Sequence, residues 1–282
     1  MPELPEVETV SKALNISITN YIIKKVEVFK PNLRVLVSKN INVISKDSTI
    51  FSVKRRAKYG KIYLDNEYVI VFHLGMSGRI IIDRPESYLR QKHDHIVFHL
   101  KSSKATKKDI RLIFNDPRRF GFLNVYKNNS PDFKNIFKEL GPEPLTANFN
   151  KKALQNILFK RGASIKSVLL NQKLIAGLGN IYVCESLFAS KISPYKKASD
   201  LTEKEIKTLL FKIKLVLKKA IRAGGSTIKD HKNINGEIGY FQNSFLVYDR
   251  EGKICKNKFC NAKIKRIVQN GRSTFYCSNC QR

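Results

Sequence analysis

Four of the five cysteines fall within the last 28 residues, as Cys255, Cys260, Cys277 and Cys280. Two pairs of thiols separated by a spacer of sixteen residues make the arrangement that closes a tetrahedral four-cysteine zinc site. The second pair has the common C-x2-C spacing; the first, written CKNKFC, is C-x4-C, looser but within ligand range. A segment this small needs a staple to fold, so the single zinc ion expected here supplies folding energy rather than chemistry. Cys184 lies far from the cluster in an apolar run and is expected to be a small core residue. At the opposite end, Pro2 is followed directly by Glu3. Proline at position 2 permits removal of Met1, which would expose a secondary amine with a pKa near about 8, far below that of lysine. Such an amine, partly neutral at working pH, can attack an electrophilic carbon and form an iminium, with the neighbouring carboxylate relaying protons.

The charge balance indicates the class of partner. Among 282 residues, 53 Lys and Arg stand against 23 Asp and Glu, a formal net charge of +30. A field of that sign concentrates polyanions, and because the excess runs along the whole chain the expected partner is nucleic acid. From residue 251 onward eight Lys and Arg accompany one acidic residue, so the cysteine segment is expected to touch DNA. An amine of this kind can attack the C1′ of a nucleotide sugar. No apolar run approaches the ~20 residues that span a bilayer, and the acidic opening MPELPEVETV suits neither a signal nor a transit peptide. The cysteines do not form a secreted disulfide framework, so a cytoplasmic protein is expected.

The elements that must position these residues divide into two kinds. Pro5 suits a first helical turn, and Val7, Val10 and Leu14 recur at helical spacing. Seven β-rich runs follow: 21–29, 61–65, 68–74, 79–83, 95–100, 110–115 and 122–126, a pattern that predicts a β-sandwich or barrel. The proline-bearing ELGPEPLTANF (139–149) then breaks the pattern as a linker. Beyond it the period is helical: SIKSVLLNQ (164–172) and NIYVCESLFAS (180–190) predict two short helices joined by a turn ending in GLGN. Thr202 and Glu205 form a capping box ahead of Ile206, Leu209, Leu210, Ile213, Val216, Leu217 and Ala220, and Gly224-Gly225 ends that helix. The expected architecture is α+β and multidomain: a β-sandwich catalytic domain over 1–133, a linker over 134–149, a helical domain over 150–245 and a zinc finger over 246–282.

Ten segments occur in one order along essentially the whole chain: MPELPEVETV, RRAKYGKIYL, HLGMSGR, KHDH, NDPRRFGF, LGPEPL, GLGNIYVCESLF, GGSTIKD, GYF and GRSTFYCSNCQ. Together they resemble the formamidopyrimidine-DNA glycosylase family. The resemblance implies an N-terminal β-sandwich, a helix–two-turn–helix domain and a four-cysteine zinc finger. It also implies a bifunctional glycosylase and abasic-site lyase that removes oxidised purines from duplex DNA through a Schiff base on Pro2, cutting the strand by β,δ-elimination. By that resemblance Glu3 is the general acid/base and Lys58 the second catalytic lysine. Met76, Arg118 and Phe120 fill the hole left by an everted base, a step that costs a few kcal/mol of unstacking. His73, His93, Asn180 and Arg272 resemble phosphate contacts, and the loop 224–240, with Ser226, Thr227 and Lys229, resembles the segment that closes over the lesion. Glu6 lies in the motif too, where a helix's first turn also accounts for it.

The chain departs from the family pattern in CKNKFC, at Ser11-Lys12 and at Asp249. Two other readings stay open. An endonuclease VIII type would remove oxidised pyrimidines, although it usually carries Gly where this chain has Leu4 and lacks the triad at 76, 118 and 120. A zinc-dependent protein that only binds DNA would leave Pro2, Glu3 and Lys58 without a purpose. The expected partner is double-stranded DNA with an oxidised base, bound by a monomer.

Overall fold

A computed structural model of the chain describes residues 2–104, 106–226 and 240–282. Two compact units are present, one of Met1–Lys138 with Gly224–Tyr240 and one of Glu139–Ala223 with Phe241–Arg282.

The first unit opens with helix α1 (Leu4–Ile18), whose N-cap is Glu3 in extended backbone and whose capping box joins Glu3 and Glu6. Leu4, Val7, Val10, Leu14 and Ile18 are buried at spacings of three and four, so one stripe of the helix faces the core. The chain continues through β1 (Tyr21–Val28), α2 (Ile41–Ser45), β2 (Ile50–Arg56), β3 (Tyr59–Leu64), β4 (Tyr68–His73), β5 (Arg79–Asp83), β6 (Asp94–Ser102), β7 (Ile110–Asn115), β8 (Phe122–Lys127) and α3 (Pro131–Phe137). The strands form two four-stranded antiparallel sheets, ordered β1-β6-β7-β5 and β2-β3-β4-β8. One apolar core holds Ile23, Phe98 and Phe114 from the first sheet, Ile62, Phe72 and Val125 from the second, and Val7, Val10, Leu14 and Ile18 of α1. This is the expected β-sandwich. Strand β4 reads as a continuous apolar run because both its faces are covered. Ile70 and Phe72 face the core, while Val69 and Val71 pack with Phe133 of α3. Strand β2 (IFSVKRR) escapes the sequence pattern, since a register shift between Ile50 and Ser52 sets its buried Ile50 and Val53 three residues apart and its second half is cationic.

The second unit contains α4 (Lys151–Leu158), α5 (Ile165–Leu170), α6 (Asn180–Ala189), α7 (Glu203–Arg222) and the hairpin of β9 (Lys265–Gln269) and β10 (Arg272–Tyr276). Asn150, Ser164 and Thr202 cap α4, α5 and α7 with their side-chain oxygens. The turn between α5 and α6 is held by Gln172, whose amide donates to the Leu170 and Leu178 carbonyls and accepts from the Gly177 N–H. The segment 139–149 packs into this unit, with the Gly141 N–H donating to the Gln172 carbonyl and Phe149 fully buried. Buried Glu185 on α6 accepts the backbone N–H groups of Leu246, Val247 and Tyr248. Cys184 and Phe188 of α6 share one apolar cluster with Cys255, Cys260, Phe275 and Cys277, so Cys184 is core as expected. No helix among the described residues is long and apolar enough to cross a membrane.

Candidate active site

Pro2 and Glu3 sit at the head of α1, and both are buried. Their placement is not left to the helix alone. Buried Glu6 accepts the Glu3 backbone N–H through Oε2 at 2.9 Å, and its Oε1 accepts the Ser226 N–H at 2.8 Å and hydroxyl at 3.0 Å. One carboxylate thus ties the start of the chain to residue 226. Gly225 is required beside it: its φ is +80°, and a Cβ there would lie 3.1 Å from Glu6 Oε1. Glu6 therefore does more than complement a helix dipole. Of the loop 224–240, Thr227 and Lys229 lie outside the described residues.

Lys58 occupies the two-residue turn between β2 and β3, next to Ala57, which takes a φ of +51°. Its side chain is buried, with 7% exposure. Arg55 fixes this hairpin to α1, donating through Nε to Glu8 at 2.6 Å and through a terminal nitrogen to the Ala57 carbonyl. The same helix that presents Pro2 and Glu3 thereby anchors the turn that presents Lys58.

Met76 and the Arg118–Phe120 segment lie on two adjacent loops, with Met76 38% and Phe120 47% exposed. The Arg118 guanidinium rests 4.8 Å from the centre of the Phe120 ring. These side chains are too exposed to be core, so apolar surface is held at the protein exterior. His73, at the end of β4, accepts the Gly75 N–H through Nδ1 at 3.0 Å and stacks on Phe122. Burial, reinforced by the charges of Arg34 and Lys58, pushes its pKa down to about 4. Nδ1 must be unprotonated to accept, which leaves Nε2–H as the donor of a neutral ring. His93 is half-buried with its ring edge-on to His95, and its carbonyl accepts the Asp116 N–H.

The low pKa of His73 has a consequence for stability. Its folded value lies below the ordinary 6.5, so the neutral ring's contribution is complete above pH 6.5 and is lost as pH falls toward 4. Each unit of pKa difference is worth about 1.4 kcal/mol. His73→Asn should therefore flatten the fall in melting temperature between pH 6.5 and 4.5. Equal losses in the two proteins would contradict the assignment.

In the second unit, Asn180 opens α6 behind the extended N-cap Gly179, at the positive end of the helix dipole. Its amide donates to the Ser273 carbonyl at 2.8 Å. The same carbonyl accepts from the ammonium of Lys166, which also donates to the Thr274 hydroxyl. Lys166 is 1% exposed, and burial pulls its pKa down. Two donors from α5 and α6 thus fix the strand residue beside Arg272. Arg272 itself is exposed and follows the turn Asn270-Gly271, whose φ values of +50° and +70° suit a type I′ hairpin. Lys166 was not foreseen: its partners lie more than a hundred residues away, and no local pattern distinguishes a buried lysine from a surface one.

The four cysteines at 255, 260, 277 and 280 bring their sulfurs within 4.8 Å of one another. The Cys255–Cys280 and Cys260–Cys277 sulfurs are 3.8 and 3.6 Å apart. Tetrahedral zinc with Zn–S bonds of about 2.3 Å requires sulfurs roughly 3.8 Å apart, so the donor set fits the ion. The longer C-x4-C spacing is absorbed within the knuckle, where the Asn257 side chain donates to the Cys280 sulfur and its backbone N–H to that of Cys255. Such donors stabilise thiolate charge.

Three family models match in sequence: the formamidopyrimidine-DNA glycosylase N-terminal domain over residues 1–123, the H2TH domain of the same enzymes over 140–232, and the zinc finger found in FPG and IleRS over 252–282. The chain belongs to the formamidopyrimidine-DNA glycosylase family. The enzymes of that name from Wolbachia pipientis subsp. Culex pipiens and Zymomonas mobilis are 47% and 46% identical to it, each aligned over 100% of both chains. Among solved structures, a Lactococcus lactis FPG mutant bound to DNA containing Fapy-dG superposes with a TM-score of 0.90 at 34% identity, covering 100% of both chains. The wild-type Lactococcus lactis enzyme bound to DNA with an oxidised pyrimidine gives 0.89 at the same identity and coverage. The chain is accordingly a base-excision repair enzyme, a bifunctional glycosylase and abasic-site lyase, and its cysteine cluster is a structural zinc site.

Proposed function

We propose that this glycosylase removes oxidised purines, 8-oxoguanine and formamidopyrimidines, from duplex DNA with the Pro2 amine as nucleophile. The observation that carries the reading is the buried Pro2-Glu3 head of α1, clamped by Glu6 and braced to the Lys58 turn through Arg55 and Glu8. A secondary amine held in place beside a carboxylate is equipped for imine chemistry and for little else. Removal of Met1 is a requirement of the reading.

The Pro2 nitrogen attacks C1′ as the glycosidic bond breaks and the base departs with its bonding electrons and a proton. Glu3 protonates the deoxyribose ring oxygen, the ring opens, and an iminium joins Pro2 to C1′. Loss of the C2′ proton expels the 3′ phosphate, and a second elimination expels the 5′ phosphate. Lys58, on the turn braced to the same helix, supplies a second amine beside the damaged nucleotide. Met76 and Phe120 fill the vacated stack while Arg118 hydrogen-bonds the orphaned base. Neutral His73, His93, Asn180 and Arg272 hold flanking phosphates. Zinc supplies only structure, by holding the hairpin that carries Arg272. The enzyme acts as a monomer, in the bacterial cytoplasm.

Incision of duplexes carrying 8-oxoguanine opposite cytosine, thymine glycol or no lesion tests the assignment. Cutting the 8-oxoguanine strand much faster than the others is the expected result, and the reverse order would reassign the site to oxidised pyrimidines. Binding should also weaken steeply with salt, because each neutralised phosphate releases counterions. Arg272→Ala should lower the slope of log affinity against log salt by about 1, at similar cost for every sequence. An unchanged slope from filter-binding titrations would remove Arg272 from the phosphate contacts.

A further inference from the structure

The loop that carries Met76 and the loop that carries Arg118 and Phe120 are locked to each other through Asp116, a residue with 0% exposure that touches neither candidate nucleophile nor base. Ser77, itself 3% exposed, donates its hydroxyl to Asp116 Oδ1 at 2.6 Å and accepts the Arg118 N–H at 3.1 Å. Asp116 Oδ2 accepts the Gly121 N–H at 2.8 Å, and the Asp116 carbonyl accepts the Arg119 N–H at 3.2 Å. These two bonds bracket the tip on both sides. Between them Arg119 takes a φ of +58°, a left-handed backbone that costs a non-glycine residue ~1–2 kcal/mol and needs enforcement. The other loop fits against this tip without side chain: Gly75 has a φ of +58°, and a Cβ on it would lie 2.4 Å from the Phe120 backbone carbon and the Gly121 nitrogen.

We infer that Asp116 and Ser77 are positioning residues that hold Met76, Arg118 and Phe120 as one preassembled wedge. The inference rests on the wedge role given to those three side chains above. Each of two separate loops would lose conformational freedom on entering the stack, at roughly 0.5–1.5 kcal/mol for every immobilised side chain. A buried carboxylate that binds one loop by its backbone and the other by a hydroxyl removes that cost before DNA arrives. The lock bears on eversion of a stacked base, not on imine chemistry. Its loss should therefore separate the two activities.

The test uses zinc-loaded enzyme carrying Ser77→Ala, with Asp116→Asn as a second variant that keeps the volume. Four readouts are compared: hydrogen exchange in free protein, fluorescence of a 2-aminopurine beside the lesion, excision of 8-oxoguanine from duplex, and lyase action on a preformed abasic site in single-stranded DNA, where no stack must be opened. Ser77→Ala should raise exchange at 74–78 and at 116–121 together. Excision should fall about 10-fold or more, as expected for losing hydrogen bonds to a buried charge, while the lyase rate stays within about 3-fold. The change in fluorescence of that 2-aminopurine as its stack is opened should be delayed to the same extent as excision. Exchange rising in one loop only, or excision and lyase falling equally, would overturn the inference. Met76→Ala distinguishes the underlying reading: undiminished excision there would discard the wedge role itself, whatever the lock does.

Discussion

Glu3→Gln is expected to slow base excision by about 10²–10⁴-fold, the usual contribution of a positioned general acid/base. The amide keeps an acceptor for the capping box on α1, so the melting temperature should barely move. The Glu3 backbone N–H still reaches Glu6 at 2.9 Å, which holds Pro2 where it was. The two steps should respond differently. Excision needs a proton delivered to the sugar ring oxygen, whereas a preformed abasic site already presents an aldehyde to the Pro2 amine. The lyase rate on abasic DNA should therefore survive far better than excision. Single-turnover assays on the two substrates measure both. Equal losses in both would mean that Glu3 serves the fold of the helix start rather than proton transfer.

Removing zinc should have the other large effect. Structural zinc contributes on the order of 10–16 kcal/mol of apparent binding energy to modules of this size, and that energy is folding energy. Cys277 is 0% exposed and shares a cluster with Phe275, Ile264 and α6. Cys277→Ser, or chelation, should unfold the hairpin β9–β10 and free Arg272 from the strand whose Ser273 carbonyl Lys166 and Asn180 hold. Affinity for lesion DNA should be lost, while the first unit, whose core contains no cysteine, keeps its β-sheet circular dichroism. Retained affinity after verified metal loss would show that the finger folds without the ion.

Much of this was legible along the chain because the signals are local. The α1 stripe, the capping box of α7 and the seven foreseen strands each depend on residues within one element. The zinc ligands declared themselves by residue type and spacing alone. What stayed hidden depends on contacts across long separations. Glu6 meets Ser226 across 220 residues, and Lys166 meets Thr274 across 108. A glutamate or lysine in a helix carries no mark of such a partner. Short helices such as α2 and α4 offer too few turns for periodicity to rise above the background. The roles proposed for Met76 and Phe120 rest on motif order; the structure adds that both are exposed, where an isolated Met or Phe in a β-rich segment would be expected in the core.

Borohydride trapping on a duplex with 8-oxoguanine opposite cytosine, followed by mass spectrometry of the adduct, tests the central claim most directly. A covalent product joining the sugar to the nitrogen of a Pro2 freed of Met1, absent with undamaged DNA, is the expected result. No product from folded, zinc-loaded enzyme, or an adduct on Lys58 in place of Pro2, would contradict it.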